Sequence, residues 1–149
     1  MFALHHAEHR YVAVGAAAND LEPNAVFLTI VQSGSIRLYS DRATVRWDLI
    51  EPHRLDFTLT ALRDGGYVPY IVLEEWEERA FRERFGGASE IGRVEWPPML
   101  RYDGASTTRI YAIDDRDRYR AGRCVVTRLI EAAAPQESRT SQPCASPRS

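Results

Sequence analysis

The feature that most constrains the fold is an apolar strand pattern that runs without a loop into a charged helix. Residues 67–75, YVPYIVLEE, are almost continuously apolar, as expected of a strand that is buried on both faces. Residues 75–85 follow with helical spacing, and Gly86 and Gly87 then end the helix. Because a strand of this kind needs a layer on each face, the junction indicates an α/β architecture.

Strand and helix patterns alternate along most of the chain. Strands are predicted over 25–31, 43–50, 67–75, 91–100 and 107–114, and helices over 5–20, 33–42, 53–66 and 75–85. This order predicts an α/β fold, a three-layer Rossmann-like sandwich with a mostly parallel sheet of about five strands. Only a turn separates the last two strands, so we expect them to pair antiparallel at one edge of the sheet.

Composition divides the chain into four segments. They are an N-terminal helix (1–24), an α/β domain (25–114), a charged extension (115–134) and a tail (135–149). The tail is rich in Ser, Pro, Gln and Thr, so we expect it to be disordered. Residues 124–134 are compatible with either a short strand or a short helix. A chain of 149 residues is long enough for one hydrophobic core.

Charge and cysteine content exclude several classes of protein. The formal net charge is −2, which gives no electrostatic reason to expect nucleic acid or an anionic membrane as a partner. Cys124 and Cys144 are not spaced as C-x-x-C and indicate neither a zinc site nor a disulfide framework. No apolar run reaches the roughly 18 residues of a membrane span, and no secretory signal is present. On these grounds we expect the chain in the cytoplasm. The alternative is that the chain is a fragment of a larger protein, in which case it would be extracytoplasmic and attached to a membrane.

Four acidic residues surround Trp76 where the strand meets the helix: Glu74, Glu75, Glu77 and Glu78. Acids at a helix N-terminus are favoured by the helix dipole, and this structural role explains the cluster. The alternative is that Glu74 and Glu75 bind a ligand at the carboxyl edge of the sheet, where α/β proteins place their ligands. The side chains expected to dock this helix on the sheet are Trp76, Ala80 and Phe81.

A small-residue turn between the first strand and the second helix is a candidate anion site. Ser33, Gly34 and Ser35 begin that helix, and Arg37 lies one turn further on. Free N–H groups at a helix N-terminus can hold a phosphate, although neither dinucleotide-binding nor P-loop spacing is present. The alternative is an ordinary helix cap.

The N-terminal sequence HHAEH is a candidate metal site. His5 and His9 are four residues apart, and His6 and His9 are three apart, so a helix would bring them to one face. The order differs from the His-Glu-x-x-His of metalloproteases, because His6 takes the place of the glutamate. No G-x-S-x-G nucleophile motif is present either. We therefore predict no catalytic residue and no cofactor.

Five segments together resemble a known family. They are EHRYVAVG, PNAVFLTIVQSGSIRLYSDR, GYVPYIVLEEWEERAFRERFG, VEWPP and RIYAI, and they cover about residues 8–114. Their order is similar to the soluble C-terminal domain that follows the transmembrane helices of bacterial polytopic glycosyltransferases, of the protein-mannosyltransferase and arabinose-transferase type. In that family the catalytic acids lie in the membrane part, so the resemblance transfers no catalytic residue to this chain.

The resemblance implies a non-catalytic accessory domain that contacts a protein or a glycan, with a membrane glycosyltransferase bundle or a glycan as the partner. The alternative is a small α/β protein that binds a phosphate or a nucleotide-sugar through the turn at residues 32–37. An interaction domain is expected to expose apolar surface where its partner docks.

Overall fold

The computed structural model describes residues 2–131, with side chains from His9 onward. The α-helices are α1 (Phe2–Asn19), α2 (Ser33–Tyr39), α3 (Leu55–Asp64), α4 (Glu75–Phe85) and α5 (Ile113–Arg120). The strands are β1 (Ala25–Leu28), β2 (Ala43–Val45), β3 (Val68–Glu74), β4 (Leu100–Asp103), β5 (Thr107–Ala112) and β6 (Arg128–Leu129).

Within the described residues the strands form one six-stranded mixed sheet in the order β2-β1-β3-β5-β4-β6. The pairs β1–β2, β1–β3 and β4–β6 are parallel, whereas β3–β5 and β4–β5 are antiparallel. The helical connections α2 and α3 link the three parallel strands on the β2 side, as parallel pairing requires. The predicted α/β, Rossmann-like fold with a mostly parallel sheet is confirmed, with one strand more than expected.

Helices cover both faces of this sheet. They bury the apolar side chains that β3 presents on each face. Tyr70 and Val72 face a core built with α1 and α2, whereas Ile71 and Leu73 face a second core built with α3 and α4. Tyr70 stacks on the ring of Phe27 in β1, with ring centroids 5.4 Å apart. The alternation of side chains along a strand thus divides one apolar run between two cores.

The inward face of α4 differs from the predicted one. Phe81 is fully buried as expected, but Trp76 is 63% exposed and Ala80 is also exposed. The buried positions are Glu77, Phe81 and Phe85, which are spaced four residues apart on one helical stripe. The expectation that Trp76 and Ala80 dock on the sheet was wrong, because the stripe of Glu77, Phe81 and Phe85 faces the core and turns Trp76 and Ala80 toward solvent.

The strand predicted over 91–100 was also wrong. Residues 91–93 form a 3₁₀ turn, and the strand at this point begins only at Leu100. Pro97 and Pro98 lack the N–H groups that a strand needs, and Val94 adopts a left-handed conformation with φ 48°. Residues 43–50 likewise form a strand only to Val45 before a 3₁₀ turn.

The charged extension contributes regular structure to the domain. Helix α5 takes up the charged run, and β6 pairs in parallel with β4 at the edge of the sheet. The antiparallel pairing of β4 and β5 is confirmed, but the expectation that this pair forms the edge was wrong, because β6 lies outside β4. The predicted disordered tail, including Cys144, lies outside the described residues.

None of the helices in the described part of the chain is both long and apolar enough to cross a lipid bilayer.

We expect Gly92→Ala to lower the free energy of unfolding by about 1–3 kcal/mol. A Cβ at this buried position would lie 2.5 Å from Phe85 Cβ and 2.6 Å from the Phe85 carbonyl carbon. Gly34→Ala is the matched control, because a Cβ at that position would have no heavy atom within 4 Å and alanine favours the helix. Urea unfolding of both variants checks this, and equal stabilities would contradict the packing at Gly92.

Candidate functional site at the carboxyl edge of the parallel strands

The carboxyl ends of β1, β2 and β3 meet at one edge of the sheet, as their parallel pairing requires. In α/β proteins this edge is the usual place for a ligand. Glu74 ends β3 at this edge, and its side chain is completely buried. Glu75 begins α4 and is exposed. The structure therefore separates the two glutamates that the sequence grouped together.

Three polar side chains donate hydrogen bonds to the Glu74 carboxylate; Gln32 and Thr108 are buried and Ser106 is partly buried. Gln32 Nε2 donates to Oε1 over 2.7 Å, and Thr108 Oγ1 and Ser106 Oγ donate to Oε2 over 3.0 and 3.2 Å. Arg10 Nε lies 3.4 Å from Oε1, which makes an ion pair without hydrogen-bond geometry. A buried carboxylate is tolerated when its oxygens are paired in this way. Glu74 therefore joins α1, β5 and the turn after β1.

The serine hydroxyl groups of the turn at residues 32–37 form hydrogen bonds within the turn and with the residues just before it. Ser33 Oγ donates to the Ile30 carbonyl over 2.7 Å, and Ser35 Oγ lies within hydrogen-bond distance of both the carbonyl and Oε1 of Gln32. Gly34 and Arg37 are exposed. Through Gln32 the turn is linked to the Glu74 carboxylate, whose negative charge disfavours a phosphate nearby. The anion site stays a prediction that this geometry does not favour.

Glu77 is the second buried acid at this edge, and sequence reasoning missed it. Its side chain is 2% exposed, and neither carboxylate oxygen has a hydrogen-bond partner among the described residues. Burial, and then the charge of Glu74, raise its pKa to about 7. The Val31 N–H, the Trp47 indole N–H and the Arg10 guanidinium oppose this increase.

Trp47 Nε1, after β2, is also buried without a hydrogen-bond partner in the described region. Its N–H is a donor and favours the ionised form of Glu77, but burial and the charge of Glu74 outweigh it. With Glu77 protonated, Glu74 and Arg10 form an ion pair with no excess charge beside them. The arrangement can therefore take up and release a proton near neutral pH.

Glu78 was one of the four acids noted in the sequence, but its partners in β5 were not predicted. Arg109 Nη1 and Tyr111 Oη both donate to its Oε1, over 2.9 and 2.8 Å, and Arg82 lies 3.3 Å from its Oε2. Burial, together with Glu78, raises the pKa of Tyr111 above its usual range. Only the i,i+4 spacing of Glu78 and Arg82 was visible in the sequence. The pairing joins α4 to β5 and is structural.

The histidine cluster is only partly described. His5 and His6 lie in α1, but their side chains are outside the described residues, and His9 is exposed. Among the side chains that the structure does describe, no group of three His, Cys, Asp or Glu residues is arranged to hold a metal ion. The metal site therefore stays a prediction.

Comparisons of this chain with protein-family models, with curated proteins and with solved structures found no match. The glycosyltransferase resemblance therefore stays a prediction from the sequence.

We expect Glu74→Ala to lower the free energy of unfolding by about 3–5 kcal/mol, because it leaves Gln32, Thr108 and the charge of Arg10 without their partner. The exposed neighbour provides the control, and Glu75→Ala is expected to change stability by less than about 0.5 kcal/mol. Chemical denaturation measures both variants. Similar decreases in the free energy of unfolding for both variants would show that the contacts of Glu74 do not stabilise the fold.

We expect Glu77→Gln to stabilise the protein at about pH 8 by about 2–3 kcal/mol and to change stability little at about pH 4.5. The folded pKa of about 7 lies above the unfolded value of 4.5. The stabilisation from the bound proton is therefore complete below the unfolded pKa and is lost as the pH rises toward 7. Glutamine resembles the protonated form and does not titrate.

Denaturation curves of wild type and Glu77→Gln across this pH range measure the difference, with Glu75→Gln as the exposed control. A Glu77→Gln effect of the same size at both pH values would contradict the proton-binding role of Glu77.

Proposed function

We propose that this chain is a non-catalytic α/β interaction module, related to the extramembranous part of a membrane glycosyltransferase, and that it acts by contact with a membrane-protein partner. The observation that supports this proposal best is that polar side chains fill the carboxyl edge of the parallel strands. The edge where α/β enzymes hold their substrates is filled by a buried polar network, and large apolar side chains are exposed beside it.

The buried network supports a structural use of the edge. Glu74 accepts hydrogen bonds at both carboxylate oxygens and is inaccessible to solvent. A general base or acid needs to come within hydrogen-bond reach of a substrate atom. Glu74 satisfies its hydrogen bonds within the protein, and this leaves it no free position for a substrate.

We assign the docking surface to two exposed apolar side chains at this edge; Leu38 of α2 and Phe57 of α3 are as exposed but do not closely follow the carboxyl end of a strand. Leu49, in the 3₁₀ turn after β2, is 74% exposed, and Trp76, in the first turn of α4, is 63% exposed. Both follow the carboxyl ends of parallel strands. We call these two residues the carboxyl-edge apolar pair. Arg84 of α4 donates two hydrogen bonds to the Ile50 carbonyl, over 2.8 and 3.0 Å. These bonds attach the turn that contains Leu49 to helix α4.

The chemistry of this pair favours a protein partner. Tryptophan is enriched among the residues that dominate the binding energy of protein interfaces. Glu75 and Arg79 flank Trp76 on exposed positions and would form the polar rim of such an interface. A partner with an apolar pocket and mixed charges around it fits this surface. A glycan that stacks on Trp76 is the outcome that the experiment below distinguishes.

We expect a photo-crosslinking amino acid at position 76 or 49, introduced in the source cells, to give an adduct of defined mass with a membrane protein. The control is position 67, because Tyr67 is also exposed and precedes β3, at the opposite edge of the sheet. Adducts from 76 and 49 but not from 67 support the proposal. No adduct, the same adduct from all three positions, or an adduct with glycan alone would overturn it.

We also expect Trp76→Ala to weaken binding to the crosslinked partner by about 2 kcal/mol or more, because an exposed Trp in an interface is a frequent hot spot. Its effect on the free energy of unfolding should stay within about 0.5 kcal/mol, since the side chain does not contribute to the core. Tyr67→Ala is the matched control, with no expected change in either quantity. Titration calorimetry with the purified partner measures the affinity.

The relation to a membrane glycosyltransferase has a separate test. An antibody against this domain should detect a polypeptide much larger than 16.9 kDa in the membrane fraction of the source cells. A species of 16.9 kDa that remains in the supernatant after the membranes are sedimented would contradict the membrane relation.

A further inference from the structure

A cavity of about 370 Å³ lies at the edge of the sheet opposite Glu74. Trp96, which lines it, donates its indole N–H to the Ala112 carbonyl over 2.9 Å, and Ala112 pairs with Tyr70 near the amino end of β3. The cavity therefore lies between the segment that follows α4 and helix α5. Its volume falls within the range of small-molecule sites.

Two aromatic side chains, Trp96 and Tyr119, border one side of the cavity, and Trp96 is 4% exposed, so the cavity reaches a small part of its ring. The indole ring of Trp96 is held by the hydrogen bond to Ala112 and by an edge-on contact with Tyr111, at an interplanar angle of 77°. Tyr119 of α5 lines the same cavity and packs against the core. A rigid aromatic wall suits a flat apolar group, because little side-chain freedom is lost when the group binds.

The other side of the cavity is lined by three arginines and two glutamates: Arg93, Arg116, Arg120, Glu90 and Glu95. Arg116 Nη2 and Arg120 Nη1 both donate to one oxygen of Glu90, over 2.5 and 2.7 Å, and Arg116 Nη1 also donates to Asp117 over 3.2 Å. The Glu90 side chain is 60% exposed. Arg120, and then Arg116, lower its pKa. Two guanidinium groups thus converge on a single carboxylate oxygen, which an incoming anion can replace.

The backbone beside the cavity is strained. Val94 has φ 48°, and it is the one non-glycine residue with positive φ in the described part of the chain. A β-branched residue rarely adopts this conformation, and such residues cluster at ligand sites. Val94 itself is buried, whereas its neighbours Arg93 and Glu95 are exposed and line the cavity. The strained residue thus lies between two residues that border the cavity.

We propose that this cavity binds a small organic anion. Its flat ring packs against Trp96, and its carboxylate or phosphate group takes the position of the Glu90 carboxylate between Arg116 and Arg120. The site is separate from the carboxyl-edge apolar pair and does not depend on the proposed interaction function.

Titration calorimetry and ¹H–¹⁵N spectra of the full chain test this with four probes: phenyl phosphate, benzoate, inorganic phosphate and phenol. We expect phenyl phosphate, benzoate or both to bind with a Kd below about 1 mM, and inorganic phosphate and phenol to bind at least about tenfold more weakly. Binding of one aromatic anion alone identifies the head group as phosphate or carboxylate.

Three sets of variants distinguish binding in this cavity from non-specific attraction of the anion to positive charge. Arg116→Gln combined with Arg120→Gln should weaken binding of the aromatic anion by at least about tenfold. Arg118→Gln, on the same helix but outside the cavity lining, should leave it unchanged. Glu90→Gln keeps all the arginines and should tighten binding by about threefold or more, because the competing carboxylate is removed.

Three results would overturn the proposal. One is no binding of either aromatic anion at about 10 mM. Another is binding of inorganic phosphate as tight as that of phenyl phosphate. The third is an equal loss of binding in Arg118→Gln and in the double variant. Melting temperatures verify that each variant is folded. If the variant with both arginines replaced does not fold, the Glu90→Gln variant still tests the site.

Discussion

The buried carboxylate of Glu74 holds together parts of the chain that are far apart in sequence. It pairs with Arg10 of α1, Gln32 of the turn after β1 and Thr108 of β5, while its own backbone ends β3. An ionised group this deep in a protein is stable only when its partners are all in place. Glu74 therefore adds a polar link between α1, the turn and β5 to the apolar packing of α1 on the sheet. The same hydrogen bonds make the carboxyl edge a structural junction.

Two acids at this edge have opposite environments, and the difference explains their roles. Glu74 is surrounded by donors, whereas Glu77, one helical turn later, meets none in hydrogen-bond geometry and has a pKa of about 7. The charge of the first acid contributes to the raised pKa of the second. A fully paired carboxylate and a proton-binding carboxyl group can thus lie side by side without excess buried charge.

The charged groups at the two edges of the sheet are arranged differently. At the carboxyl edge the Glu74 carboxylate is buried and paired, while Leu49 and Trp76 are exposed beside the charged side chains of Glu75 and Arg79. At the opposite edge Arg116 and Arg120 remain partly accessible around a cavity that Trp96 also lines. Exposed apolar side chains favour contact with a macromolecule. Accessible guanidinium groups around a cavity favour a small anion.

By itself the sequence determined the order and type of most elements, because apolar runs and helical spacing depend on local patterns alone. It correctly placed the α/β layers and the β3–α4 junction, and it predicted that the strands flanking the last turn pair antiparallel. It failed for residues 91–100, where two prolines and a left-handed valine replaced the expected strand. Only the tertiary structure decided which glutamate is buried, that Trp76 faces solvent, and that Arg10, Gln32 and Thr108 meet Glu74. These pairings join residues 34 to 64 positions apart, and their partners are chosen by packing and by the need to satisfy buried charge, which no local pattern encodes.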